Sequence, residues 1–471
     1  MNQRQNIRNI AGPGGGVLLC LVTSLSPTLA QVSAPPDLLA ASVQSNGTST
    51  QILSPLLTLR FRDALERAQR NDPTFQSAVS NAKLAREDRL QSRAAPFPTL
   101  DLSSQYLNTQ GNGLIPTARF VTNDGVHVYR EWSVVSQDLS PATLIRTDYK
   151  RATVAEVLSQ TKAEKAGLAL AVNVVKAYYG LLVAQHKYAT AQQALDQANR
   201  FVALGQSLES SGRKPHSDVL KFQLQQTADE KSLREAILAM ESARLGLAVL
   251  LFRDFDETFE IVDDLRLAPP VPPFQEVLAM AKTKDPDLRV AMDTARAAGL
   301  NVSMARQAFL PSVKVEVDYG IESNCVGLRC VDVGYRNLGG VPTVGYFMTA
   351  ALNVPVWDWG VKKSKLRQAE IKHEQANLEL SAAQRHLVKN LHVAYNETQT
   401  ALAHLDSLRR AAGLAGESLH QNLLRYQTDE AVALEVVDAQ NSLTQARNAL
   451  DDGELRYRVA VANLQTLTGS F

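Results

Sequence analysis

The feature that most limits what this chain can fold into is one pattern carried twice. Ala64-Leu65-Glu66-Arg67-Ala68, followed by Asn71-Asp72-Pro73, recurs 213 residues later as Val277-Leu278-Ala279-Met280-Ala281 followed by Lys284-Asp285-Pro286. Phe97-Pro98-Thr99-Leu100 returns at the same offset as Leu310-Pro311-Ser312-Val313, and Tyr106 returns as Tyr319. Beyond Val135 the offset becomes 217, so that Asn173–Tyr178 matches Asn390–Tyr395 and Asp218-Val219-Leu220 matches Glu435-Val436-Val437. One four-residue difference therefore falls in the window 107–134 against 320–351. Solenoid units run to about 20–50 residues, so this period is not one of them. It implies duplication of a whole module of helices and strands, with an insertion tolerated in one exposed loop.

Within each copy the pattern changes from helix to strand and back. A helical rhythm from Leu59 to Ala94 breaks at Asn71-Asp72-Pro73, where proline ends one helix and opens the next. Its twin, Phe274 to Phe309, breaks at Asp285-Pro286, and Pro269-Pro270-Val271-Pro272-Pro273 marks the linker (269–273) between repeats 58–268 and 274–471. Strands follow. Val313, Val315, Val317 and Tyr319 alternate with Lys314, Glu316 and Asp318, giving one apolar and one charged face. Leu100, Leu102, Ser104 and Tyr106 repeat this more weakly, and partner strands are expected at Val126–Leu139 and Val344–Val356. Tyr106, Tyr129, Trp132, Tyr319, Tyr346, Phe347 and Trp357 lie at or near these strands. Two readings fit: a membrane sheet with lipid outside, water inside and an aromatic belt, or a half-buried hairpin pair on a soluble domain. Four strands cannot close a barrel, which needs eight or more, and an open sheet edge cannot remain in lipid. Strands in a membrane would therefore oblige several chains to share one barrel.

The remaining segments read as very long helices. Val436, Ala439, Leu443, Ala446, Leu450, Gly453, Tyr457, Ala460, Leu464 and Leu467 keep three-four spacing, which predicts a left-handed supercoil. Leu366, Ala369, His373, Ala376, Leu380, Ala383, Leu387, Asn390 and Ala394 follow the same rhythm, as do Val219, Phe222, Leu233, Ala236, Met240, Ala243, Leu247 and Leu250. Alternating alanine with larger residues suits antiparallel helices packed closely in a sheet or tube. From Val361 to Arg425 a continuous helix would extend on the order of 95 Å. Asn173 and Asn390 are expected on the seams, either as tolerated core polars or as register-fixing residues.

Composition and the N-terminus set the compartment. The formal net charge is +1, which gives no argument for a nucleic-acid partner, and aromatics are only 6%, which suits long helices better than compact cores. Arg4 and Arg8 precede an apolar stretch, Val17 to Leu25, and Thr28-Leu29-Ala30 offers a cleavage site, so 1–30 reads as a signal peptide. Cys20 follows Leu19 and reads as removed rather than lipidated. Residues 31–57, rich in Ser, Pro, Thr and Gln, read as a flexible leader. No later segment offers about 18 uninterrupted apolar residues, so no transmembrane helix is expected.

The order signal, helix, strand, loop, strand, long helical hairpin, all repeated, resembles the TolC-like outer-membrane efflux factor family over about residues 58–471. Pro355-Val356-Trp357-Asp358-Trp359-Gly360 resembles the family's turn from strand into long helix. Arg425-Tyr426 through Leu434-Glu435-Val436-Val437-Asp438-Ala439-Gln440 resembles its signature at the helical tip, and Leu467-Thr468-Gly469 its closing motif. The resemblance implies a mainly α fold with a small β part. Three chains would make a trimeric α-helical barrel of 12 long helices continuous with a 12-stranded transmembrane β-barrel. It implies a passive exit duct in the outer membrane of a Gram-negative-type cell. Implied partners are a periplasmic adaptor and an inner-membrane transporter that selects the cargo, whether drugs or secreted proteins. Glu435 and Asp438 match the family's acidic entrance ring, though they also read as a solvated pair one turn apart. Tyr426 matches a tyrosine of the closing network. The motif glycine is Asp429 and a latching arginine is Ala431, leaving Arg425 as the substitute latch. The tips, through Gly212, Arg213 and Asp429, are where the family meets its adaptor.

Other chemistry is scarce. Cys325 and Cys330 lie in the loop carrying the four-residue difference and either form a disulfide or remain two thiols, the disulfide being expected in an exported chain. Zinc-type spacings and a histidine pair are missing, Gly12-Pro13-Gly14-Gly15-Gly16 lacks the lysine of a phosphate loop, and no nucleophile–base arrangement is recognisable. Neither cofactor, metal nor enzymatic activity is expected. The other reading of the whole chain is an exported soluble coiled-coil scaffold or adaptor, in which the Val313–Tyr319 face would be wet.

Overall fold

The computed structural model describes residues 57–470 apart from 109, 111–126, 254–257, 267–269 and 324–343. The signal and leader, Cys20, Cys325 and Cys330 lie outside the described residues. The first repeat runs β1 (Leu57–Leu59), α1 (Phe61–Asn71), α2 (Pro73–Ala94), β2 (Thr99–Asn108), β3 (His127–Asp138), a short α3 (Pro141–Leu144), α4 (Thr147–Ser210), α5 (His216–Leu251) and β4 (Phe259–Ile261). The second runs α6 (Phe274–Lys284), α7 (Pro286–Gln307), β5 (Ser312–Ser323), β6 (Val344–Asn353), α8 (Val361–Gln427) and α9 (Ala433–Thr468). α1 and α2 match α6 and α7 at an offset of 213, and α5 matches α9 at 217. The four-residue difference thus falls in the two strand-to-strand connections.

The helix breaks have one cause in both copies. Phe75 N–H donates to Asp72 Oδ1 at 2.6 Å and Leu288 N–H donates to Asp285 Oδ1 at 2.7 Å, with proline at the first helical position each time. An aspartate cap satisfies an orphan donor, and the proline lacks the donor that would be orphaned.

α4 has 64 residues and α8 has 67, so each extends about 100 Å. A helix of 22 residues and one of 36 residues share the length of each long helix: α2 and α5 along α4, α7 and α9 along α8. α4 also packs against α7 and α9, so the order across the layer is α2/α5, α4, α7/α9, α8. The strands repeat that order as an antiparallel sheet β2-β3-β5-β6. Both layers therefore end on matching parts of the chain: β2 with α2/α5 of the first repeat at one edge, and β6 with α8 of the second at the other. Leu224 and Leu238 on α5 and Leu378 and Leu414 on α8 are exposed at those helical edges.

The main core lies midway along α4, where Leu170, Val174, Tyr178, Leu181 and Leu182 are buried against α1, the end of α5 and the parallel pair β1–β4. This makes α4 long and apolar enough, by composition, to cross a membrane, yet 56% of that stretch is buried inside the protein. Tyr178 donates its hydroxyl between the carbonyls of Leu59 at 3.1 Å and Val262 at 2.8 Å, tying the start of the repeat to its end. The α9 seam is as predicted, with Val436, Ala439, Leu443, Tyr457, Ala460 and Leu464 buried. A Cβ on Gly453 would meet Leu408 Cδ1 at 2.5 Å, so α8 and α9 touch at that glycine. The α8 seam departs from prediction. It steps from Leu387 to Leu391, Thr398, Ala401 and Leu405, leaving Asn390 exposed, and Asn173 is exposed at the twin position. A straight helix drifts against a strict seven-residue repeat, and one four-residue step resets the seam.

Among the charged groups that tie the repeats together, His186 is half-buried and doubly paired. His186 on α4 sits between Asp451 of α9, at 3.1 Å from Nδ1, and Asp263 beyond β4, at 2.8 Å from Nε2. The imidazolium donates to Asp451 and then to Asp263, and these bonds raise its pKa to about 9 against the cost of burial. A raised pKa gives stability that is complete below the ordinary histidine value near 6.5 and is lost as pH rises through about 9. The apparent Tm of the detergent-solubilised protein is expected to fall across that window. In His186→Gln it should start lower and stay flat from pH 6.5 to 9; a wild-type profile equally flat there would refute the assignment.

Candidate functional site

Both hairpins turn by the same hydrogen bonds. After α4, Gly212 adopts φ +73° and Arg213 N–H donates to Leu208 O at 2.9 Å. After α8, Asp429 occupies the twin position with φ +68°, and Glu430 N–H donates to Arg425 O at 2.8 Å. This left-handed termination normally takes glycine. Aspartate tolerates it better than most residues, at a cost of about 1 kcal/mol. The missing motif glycine therefore does not change the turn; it adds a carboxylate to it.

That carboxylate meets the other tip. Arg213 donates to Asp429 Oδ2 through Nε at 3.0 Å and Nη2 at 2.6 Å, and Nη2 also donates to Gln427 O at 3.0 Å. Lys214 Nζ donates to Ala431 O at 3.0 Å, stands 3.5 Å from Asp429 Oδ1, and lies 4.7 Å from the centre of the Tyr426 ring. Arg213 first, and Lys214 with it, holds the Asp429 carboxyl below the ordinary carboxylate range. Tyr426 is fully buried, edge-on to Phe222 at 5.4 Å. Burial and the adjacent Asp218 carboxylate push its hydroxyl up to about 12.

The expected entrance residues lie on a different face. Glu435 and Asp438 sit in the first turns of α9, flanking the buried stripe of Val436, Ala439 and Gln440, with Glu435 half-buried and Asp438 exposed. Arg425 Nη1 is 3.2 Å from Glu435 Oε2, and its Nη2 donates to Glu430 O at 3.2 Å. Arg425 thus pairs within its own hairpin and does not bridge to the first. The sequence placed Arg213 and Asp429 at the tips without joining them and gave Lys214 no role. The twin offset would have aligned Gly212 with Asp429, but a bond across two loops carries no sequence periodicity. Among the described residues no cluster of three or more His, Cys, Asp or Glu converges as a metal site.

The sheet at the far end is inverted relative to a soluble fold. Tyr319 pairs with Tyr346, Val317 with Met348 and Val313 with Leu352, and this face continues through Leu100 and Leu102. It is bare: Leu100 is 72% exposed and Tyr346 77%. The opposite face carries Asp101, Gln105, Arg130, Asp318 and Glu322, with Arg130 paired to Glu322 at 2.8 Å and Asp318 only 4% exposed. Two expected belt aromatics belong to this polar face, Trp132 and Phe347, whose rings meet edge-on at 5.2 Å. They share parity with Asp318 because a strand alternates strictly by two. Gly320 lies between them in the register, and a Cβ there would come within 1.9 Å of Glu131 O.

Where strand becomes long helix, Asp358 accepts from Gly360 N–H at 3.1 Å and Lys362 N–H at 2.9 Å, starting α8. Trp359 and Gly360 both take positive φ, and this turn holds Trp359 88% exposed beside Trp357, Val356 and Val354. Leu144, Ile145, Phe97 and Leu310 are exposed at the neighbouring strand ends, so an apolar girdle rims the sheet.

A duplicated layer of long helices carrying a sheet with one bare apolar face and one polar face points to a membrane-duct class of protein. The sequence profile of the family described as outer membrane efflux protein matches residues 64–251 and 277–470, one span in each repeat, and the chain belongs to that family. It is accordingly an outer-membrane efflux channel and not an enzyme. It is 24% identical over 422 residues to the outer membrane protein TolC of Vibrio cholerae, covering 86% of this chain and 89% of that protein. It is 23% identical over 423 residues to the alkaline protease secretion protein AprF of Pseudomonas aeruginosa, covering 87% and 84%. The fold is that of the Campylobacter jejuni CmeC outer membrane channel (TM-score 0.73, 15% identity, 87% and 85% covered). It is also that of the outer membrane protein VceC of Vibrio cholerae (TM-score 0.72, 19% identity, 87% and 96% covered).

The girdle gives an optical prediction. In reconstituted protein, brominated phospholipid should quench Trp357 and Trp359 strongly and Trp132 weakly. Quenching that survives replacement of Trp357 and Trp359 by phenylalanine would place lipid on the wrong face of the sheet.

Proposed function

We propose that three chains close into one tunnel, each pairing its β6 with the β2 of the next and laying its α8 against the next chain's α2 and α5. The observation that carries this is that sheet and helix layer end on the same two edges. Contacts of one edge with the other are head-to-tail, and a head-to-tail interface makes a ring when its rotation closes. Closure satisfies the backbone groups that an open sheet edge would expose to lipid, and covers the leucines left bare on α5 and α8. Three copies give 12 strands and 12 helical columns, as the family resemblance implies, although only α4 and α8 are continuous long helices and the other two columns of each chain are the stacked pairs α2/α5 and α7/α9. A soluble scaffold, the competing reading, would leave the Tyr319–Tyr346 face in water at a large hydrophobic cost.

On this reading the signal peptide (1–30) is removed. The repeats, with boundaries near 58–268 and 274–471, contribute equally to barrel and tunnel, and the hairpin tips point into the periplasm. There they meet an adaptor, through the tip surface around Gly212, and an inner-membrane transporter that spends the energy and chooses the cargo. Relatives named for efflux and for protease secretion suit one tunnel serving either. The entrance carries repeated carboxylates in a narrow, low-dielectric lumen, which favours cations. Because Arg425 offsets Glu435, Asp438 supplies most of that field.

Two measurements test this. Detergent-extracted protein from the outer-membrane fraction should have three times the chain mass; a monomer would overturn the shared barrel. In planar bilayers Asp438→Asn should lower the cation-to-anion permeability ratio more than Glu435→Gln does. Equal effects would overturn the Arg425 offset, and no effect from either would remove the ring from the entrance.

A further inference from the structure

We propose that each chain carries a binding site for a linear aliphatic diamine, in the groove on α4 between α5 and α9, where the Asp229 carboxylate and the Asn448 amide oxygen receive one ammonium. The site is built within one chain and does not depend on how chains assemble.

The groove follows from side-chain size. α5 and α9 both pack on α4, and they meet each other on the tip side of the groove. There Gln225 Nε2 donates to Asn441 Oδ1 at 2.9 Å and Asn441 Nδ2 donates back to Gln225 Oε1 at 3.3 Å. Beyond that pair Gly180, Ala184 and Ala191 of α4 and Ala236 and Ala239 of α5 line the gap and are too small to fill it. A cavity of about 770 Å³ remains, within the range that takes a small organic ligand.

Two buried oxygens of residues lining this groove lack a donor. Asp229 is 7% exposed; Gln225 Nε2 donates to its Oδ1 at 2.9 Å, while its Oδ2 has no partner among the described residues. Asn448 Oδ1 has none among them either. Leaving such acceptors unmet is costly, most of all for a carboxylate. Charge decides what would meet them. Of the three carboxylates that line the groove, Asp452 is held by Lys187 Nζ at 2.7 and 2.9 Å, and Glu235 has Lys231 at 3.5 Å on the surface. Asp229 has no cation among the described residues: burial pushes its carboxyl up, and the bond from Gln225 acts against that. An ammonium has three N–H bonds to give, whereas a hard metal ion would ask for more oxygen ligands than these. Glu235 lies six residues beyond Asp229 on α5, about 9 Å along the helix, at the exposed rim. A six-carbon diamine spans that interval, with its methylenes against the alanines and its second ammonium beside Glu235.

Calorimetric titration of hexamethylenediamine into the full-length protein in detergent tests the site. One saturable site per chain is expected, with a rise in apparent Tm as the amine is added. Hexanediol, which has the same chain without the charges, should do neither. Asp229→Asn keeps the shape and an acceptor for Gln225, and it should weaken the amine at least tenfold. The ligand-free Tm of that variant should stay level or rise, because an uncompensated buried charge has been removed. Ala236→Leu, which fills the groove and leaves every carboxylate in place, should weaken the amine as well. Raised salt should leave the site detectable, since a buried pair is screened far less than exposed carboxylates are. Wild-type protein that takes up no amine, uptake that vanishes in salt, or uptake undiminished in either variant would overturn the proposal. So would a ligand-free Tm that falls in Asp229→Asn, which would make that carboxylate a structural one.

Discussion

The unpaired edges of β2 and β6 are the constraint on which the rest depends. A backbone amide facing hydrocarbon without a partner costs several kcal/mol, and a four-stranded sheet has two rows of such groups. The sheet can occupy a membrane only if another copy supplies the missing neighbour. That demand passes down the chain, because each strand of the sheet adjoins a helix of the same repeat through a short connection, β2 to α2, β3 to α4, β5 to α7 and β6 to α8. Sheet order and helix order are consequently the same order, and the edges that need partners in the membrane lie on the same repeats as those that need them outside it.

In the proposed duct the junction between the two layers is where the chain turns from lipid to water. Asp358 caps α8 and fixes a turn with two positive-φ residues, and that turn sets Trp357 and Trp359 outward beside the strand ends. Aromatic side chains with a polar edge suit this depth, where an apolar body and a wet end are both satisfied. On the other face of the sheet, Gly320 fixes how closely β3 and β5 approach, and Trp132 meets Phe347 there. The two aromatic groups thus serve different solvents from one sheet.

At the opposite end the duplication is kept and then used asymmetrically. Both turns end by the same left-handed cap, but one copy has glycine and the other aspartate. The glycine turn relieves strain. The aspartate turn accepts it and holds Arg213 and Lys214 in return. A repeat that began as two equivalent hairpins has become a pair with one donor tip and one acceptor tip.

Much of this was legible in the residues. The duplication, the helix breaks at Asp72-Pro73 and Asp285-Pro286, the strand pairs, the length of the helices and the α9 seam all follow from local periodicity and capping, which act within a few residues along the chain. The α8 seam was not, because a small drift in helical phase accumulates over many turns and is reset by contacts the sequence does not display. Neither was the facing of Trp132 and Phe347, since parity depends on where each strand starts. The sequence by itself determined the elements, their order and their doubling. Only the tertiary structure decided which edges stay open, that Arg425 closes on Glu435, and that Arg213 and Lys214 clasp Asp429. Those choices are made by loops 217 positions apart meeting in space, where no local propensity specifies the partner.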